Sequence, residues 1–261
     1  FLAARQLGLA SEQLAAIVLQ SPESRFALFA LADLPKAGAM VDVGAEGLVY
    51  YRRGLYGQAK AILGAARGDK DASIEERAFR GFYFAASLED SGDSAGAIEA
   101  YDQVIDSVRY VHKSRYWAAR ATEGTGDLRG ASERYQALAL ATPKGEFTTE
   151  SAFRAGYTMF RAGDARAAQV WSSLGVSRDP RLLYWKGRAL EELGEKAAAA
   201  TAYREAMAAD SRSFFGQEAA ARLKPVTAPD ARYVSLPSPV PTLDWAEFEA
   251  WLRVRGVPAR V

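Results

Sequence analysis

Along almost the whole chain, apolar residues recur three and four positions apart, the spacing of one helix face, and they never alternate singly over the length of a strand. Single glycines cut these stretches at regular distances. Five of them, Gly54, Gly92, Gly126, Gly163 and Gly194, follow one another at spacings of 38, 34, 37 and 31 residues. Five residues after each stands an alanine: Ala59, Ala97, Ala131, Ala168 and Ala199. Four further stand Leu63, Tyr101, Tyr135, Ser172 and Tyr203, and seven before each glycine stands a small residue, Gly47, Ala85, Ala119, Gly156 or Gly187. The phrase predicts two helices, A and B, joined by a tight turn. The glycine ends helix A because the chain must turn left-handed there. Asp93, Asp127 and Asp164 follow it as N-caps of helix B. The alanine lies where B crosses A, a place too close for a larger side chain. The residue four later is one turn down the same face and packs inward. Helix pairs are predicted at about 40–67, 74–107, 112–141, 148–174 and 180–208.

Five concordant copies at this period resemble tetratricopeptide repeats, whose units stack into a curved surface. The resemblance implies an all-α fold, a right-handed α-α superhelix of tetratricopeptide-like helix pairs over 39–224. The preceding 1–38 reads as N-terminal helices, with Ser21-Pro22 as a cap-plus-proline start and Leu34 to Gly38 as a break. Asp179-Pro180 is a second such start, and one more helix is predicted at 213–223. Half of the ten prolines lie between Pro225 and Pro241, so 225–243 reads as a Pro-rich connector. The segment 244–261 resumes as a C-terminal amphipathic helix with Trp245, Phe248, Trp251 and Leu252 on one side, the expected start of a linker domain.

Composition narrows the chemistry. The chain has 261 residues, 49% hydrophobic and 25% charged, with a net charge of +1. That balance gives no case for nucleic acid or an acidic membrane as partner. Cysteine is absent and His112 is the single histidine, which argues against thiolate or His-rich metal sites. The glycines fall singly at turns and form no phosphate-cradling loop. No cofactor or metal is expected. No apolar run approaches the roughly 20 residues of a membrane-spanning helix. The chain begins with Phe1 rather than Met, so an upstream segment such as a signal peptide is expected.

Residues 182–223 carry a more specific pattern. Leu182-Leu-Tyr184-Trp185-Lys-Gly187-Arg188 leads to Gly194; Ala202-Tyr203-Arg-Glu-Ala206 follows; Phe214-Phe215-Gly216-Gln217 then runs to Leu223. This order resembles the α-superhelical region of soluble lytic murein transglycosylases. Arg188 matches the family's Arg, and Phe215 stands where Tyr is usual. Trp251-Leu252-Arg253 is faintly similar to that family's linker. The resemblance implies a bacterial periplasmic or cell-envelope protein, peptidoglycan glycan strands as partner, and a downstream domain that cleaves glycan with anhydro-ring formation. That domain carries a Glu-Ser and a Gly-Leu-Met-Gln stretch, and the latter does not occur here.

Glu150-Ser151-Ala152-Phe153 copies the catalytic string of that family. It falls, however, in the first turn of the fourth helix A, in register with Gly156 and Gly163, where an acid suits the helix dipole. No catalytic residue is therefore predicted. His112 reads as a cap or surface residue, Lys113, Arg115 and Arg120 as one solvated face, and Trp117, Trp171 and Trp185 as core. Helix A of such arrays lines the inner surface at its second, fifth, ninth and twelfth positions. The register places Phe82, Tyr116, Phe153 and Tyr184 at the fifth and Arg120, Tyr157 and Arg188 at the ninth. Rings beside arginines can stack on sugars and bind carboxylates; equally, the rings can pack between neighbouring repeats. The candidate ligands are peptidoglycan or a protein or peptide partner in the concave groove.

Overall fold

The computed structural model describes residues 2–104, 107–175 and 178–223. The expected connector at 225–243 and amphipathic helix at 244–261 lie outside the described residues. Thirteen α-helices and one 3₁₀ turn, Pro35–Ala37, account for the described fold, with no strand among the described residues. They are α1 (Leu2–Gln20), α2 (Arg25–Asp33), α3 (Val43–Arg52), α4 (Tyr56–Ala66), α5 (Ile74–Asp90), α6 (Ser94–Asp102) and α7 (Val111–Gly124). Then come α8 (Leu128–Ala141), α9 (Thr148–Arg161), α10 (Ala167–Ser173), α11 (Pro180–Glu192), α12 (Lys196–Ala209) and α13 (Phe214–Leu223). Five A/B pairs, α3/α4 to α11/α12, pack each on the next in chain order, with α1/α2 ahead and α13 behind. The fold is an α-α superhelix of tetratricopeptide-like helix pairs.

The turn between A and B follows from backbone geometry. Gly54, Gly92, Gly126, Gly163 and Gly194 all have positive φ, between 66° and 90°. Around Gly92, the Asp93 N–H donates to the Leu88 carbonyl and the Gly92 N–H to that of Glu89, both at 2.9 Å. This doubly bonded left-handed end satisfies carbonyls that the helix leaves orphaned. Asp93 and Asp127 then cap α6 and α8 through the amides of Gly96 and Gly130, each at 2.9 Å. Asp164 departs from the expectation. Its carboxylate accepts from the Arg166 amide and holds the Arg129 and Arg166 guanidinium groups, so α10 begins only at Ala167.

The small position of helix A faces the large inward residue of helix B. A Cβ on Gly47 would overlap Leu63, and one on Gly187 would overlap Tyr203. All five crossing alanines are buried. In the fourth pair the late start of α10 moves the register by one residue. Ser172, expected to pack inward, faces outward, and the fully buried Trp171 lies against Gly156 in its place.

Two boundaries also differ from expectation. Ser21-Pro22 forms a turn, with the Ser24 N–H donating to the Ser21 carbonyl, and Ser24 caps α2 through the Phe26 amide at 3.1 Å. Helix α6 ends at Asp102 rather than near 107, because Ser107 accepts from the Tyr110 amide and belongs to the lead-in of α7.

Cross-links between neighbouring pairs recur at one repeat length. Arg154 to Glu123 (3.1 Å), Arg181 to Glu150 (2.9 Å) and Arg222 to Glu191 (3.1 Å) each join residues 31 apart in sequence. Arg134 makes a two-pronged contact with Asp102, 32 residues away, at 2.7 and 2.8 Å.

Candidate functional site

Repeat stacking decides which inner-face residues a ligand can reach. The four fifth-position rings are covered: Phe82, Tyr116, Phe153 and Tyr184 are only 4, 8, 8 and 5% exposed. Each packs between its own repeat and the start of the next. Phe82 meets Tyr101 and Tyr110, Tyr116 stacks on Phe147 at 4.8 Å, and Tyr184 meets Tyr203 and Phe215. Phe153 stacks on Tyr157 at 5.3 Å and carries the Arg181 guanidinium 4.0 Å from its ring centre. The reason is energetic, since large rings contribute most where they are fully desolvated. These faces offer no platform for a sugar.

The ninth-position residues remain accessible. Arg120 is exposed, and Tyr157 and Arg188 are half-buried. Arg120 lies 5.0 Å from the Trp117 ring centre and Arg188 5.8 Å from that of Trp185. Tyr157 packs edge-on against Trp185 at 5.0 Å, so Tyr157, Trp185 and Arg188 form one cluster. Trp117 and Trp185, expected in the core, are half-buried, because their indoles border the stacking surface; Trp171 alone is fully enclosed. The shared spacing Trp117-x-x-Arg120 and Trp185-x-x-Arg188 was the sequence signal for these two cation-on-indole pairs.

A carboxylate stands three residues before three of the turn glycines: Glu89, Glu123 and Glu191. The Tyr101 hydroxyl donates to Glu89 at 2.9 Å and that of Tyr135 to Glu123 at 3.1 Å, while Tyr203 lies beside Glu191. Burial, and then the neighbouring carboxylate, raise all three phenols far above their ordinary pKa. Burial also raises the Glu89 carboxyl, against the Tyr101 hydrogen bond that lowers it. The spacing of Glu three before and Tyr nine after the glycine was visible in the sequence.

Glu150 is held at both oxygens. The Arg154 Nε donates at 2.7 Å and the Arg181 Nη1 at 2.9 Å. This carboxylate links the fourth and fifth repeats. No group of His, Asp and Glu among the described residues is arranged to hold a metal. No helix among them is long and apolar enough to cross a membrane.

Lys113 departs from the expected solvated face. Its ammonium is folded onto the Phe82, Tyr83 and Tyr110 rings.

No family model matches the chain, and a search of curated proteins finds no match. Among solved structures, the chain is similar to the crystal structure of nearly identical TPR-like repeats of a putative kinesin light chain from Podospora anserina. The identity is 17%, the TM-score is 0.45, and the match covers 66% of this chain and 96% of that one.

Proposed function

We propose that the chain is a binding scaffold that holds an extended segment of a partner protein along the inner face of its A helices. The observation that carries this reading is the pair of cation-on-indole units, Arg120 on Trp117 and Arg188 on Trp185, at the same register two repeats apart. Among the described residues no carboxylate lies within ion-pair distance of Arg120, which Glu89 attracts from further off, while Arg188 lies beside Tyr184 and 3.7 Å from Glu191. A guanidinium carries five N–H donors, so one laid on an indole has donors left for further carboxylates or backbone carbonyls. Each such contact is worth about 0.5–2 kcal/mol, so binding needs several together. With the fifth-position rings buried, an extended chain bearing carboxylates suits this face better than sugars.

The pattern over 182–223 supports a second reading, a lytic-transglycosylase-like superhelix that positions peptidoglycan in the cell envelope. The same arginines would then meet the carboxylates of peptide stems. One experiment separates the two. Anisotropy of a fluorescent glutamate-rich decapeptide, with a lysine-rich control, and co-sedimentation with purified sacculi are measured for the parent and for Arg120→Ala/Arg188→Ala. Selective decapeptide binding, weakened about tenfold or more in the double variant, is expected. Sacculus retention lost in that variant, without decapeptide binding, would put the second reading first; neither response would remove the inner face as a binding surface.

A further inference from the structure

We propose an oxyanion subsite, formed by Lys113 and Arg52 beside the aromatic cluster of the first three repeats, that takes a phosphate or carboxylate group. It rests on the reading of the inner face as the binding surface and names the chemistry at one point along it.

Lys113 occupies the second position of the third helix A. Its ammonium lies 4.4 Å from the Phe82 ring centre and 5.9 Å from those of Tyr83 and Tyr110. Arg52, exposed at the end of α3, lies 6.0 Å from the Tyr51 ring centre, and the Tyr51 and Tyr83 rings are 5.4 Å apart. Two cations thus approach one aromatic cluster from two repeats. Among the described residues, no carboxylate lies within ion-pair distance of either. Burial and then the Arg52 charge lower the Lys113 pKa, with Glu146 opposing them at longer range.

Rings attract a cation but do not neutralise it, and a half-buried charge is costly until it is paired. At three arginines further along, the chain supplies the counterion itself. Arg154 is paired with Glu123 and Glu150, Arg181 with Glu150 and Asp179, and Arg222 with Glu191. Lys113 and Arg52 are two like charges with no carboxylate at ion-pair distance, and the geometry leaves a close shared counterion to come from a ligand.

The test uses inorganic phosphate and the glutamate-rich decapeptide as probes at fixed ionic strength, with chloride as reference. Phosphate should produce a saturable shift of the Lys113 side-chain nitrogen resonance and a rise in melting temperature. Lys113→Met keeps the aliphatic stem on the rings and should abolish the rise. Arg52→Gln, at an exposed site that leaves folding intact, should weaken phosphate about fivefold or more, and Lys113→Arg should retain it. Competition between the probes assigns the anion to a carboxylate of a protein partner; phosphate binding without competition assigns it to free phosphate. A phosphate response unchanged in Lys113→Met and Arg52→Gln, or no response to either probe, overturns the subsite. Decapeptide binding that needs Arg120 and Arg188 yet ignores phosphate and Lys113 overturns the subsite alone and leaves the scaffold reading standing.

Discussion

The Trp171 indole covers Gly156 and donates its Nε1–H to the Phe153 carbonyl at 3.1 Å. In the first and fifth pairs the equivalent glycine is covered by Leu63 and Tyr203, one position later on helix B. Because the buried ring cannot retreat, Gly156→Ala should cost about 1–3 kcal/mol, whereas Gly→Ala at an open helix site should stabilise by about 0.5–1 kcal/mol. Urea unfolding of Gly156→Ala beside Gly57→Ala, which meets nothing within 4 Å, checks this. Equal effects of the two substitutions would mean that the fourth pair repacks freely.

Gly92, at φ 90°, should tolerate no L side chain well. Gly92→Ala is expected to cost about 1–2 kcal/mol and Gly92→Asn less, since Asn enters the left-handed region more readily. Thermal melts of both variants give the order.

Glu150 is expected to act through its two arginines and not through proton transfer. Glu150→Gln should lower stability by about 0.5–1 kcal/mol, the scale of part-exposed ion pairs. Incubation of the parent chain with sacculi should release no anhydromuropeptides. Release that disappears in Glu150→Gln would assign the residue a catalytic part.

The Glu89 carboxyl gives a pH dependence. Its folded pKa is raised above the ordinary 4.5 by burial. The native state therefore holds its proton more tightly than the unfolded chain, and this site's contribution to stability falls as pH rises from about 4.5 through the raised value. Glu89→Gln keeps an acceptor for Tyr101 and removes that fall. Unfolding free energies across pH 4.5–7 should decline less in the variant, and parallel profiles would discount the site.

Much of the architecture was legible because it rests on positions where only one residue type fits. The five turn glycines are required by positive φ, and Gly47, Gly156 and Gly187 by close approach, so periodic spacing exposed them directly. The register of α10 was not legible. It turns on whether the Asp164 carboxylate caps a helix or holds the Arg166 amide and guanidinium, with Arg129 of the preceding repeat added to it. The inner face was half legible. Spacing identifies the fifth and ninth positions as sharing a side, but not that Phe147 or Phe215 is laid over Tyr116 or Tyr184 from the following unit. Lys113 was the hardest to read, since its surroundings come from α5 and the lead-in to its own helix.

The cross-links at one repeat length have a mechanical meaning. Arg154–Glu123, Arg181–Glu150 and Arg222–Glu191 each tie a unit only to its neighbour. An extension imposed at the two ends is therefore divided among joints in series, each opening by a small angle before any helix is torn from its partner. Such a body yields like a spring, and the separation of distant points along it can change while every helix pair stays intact.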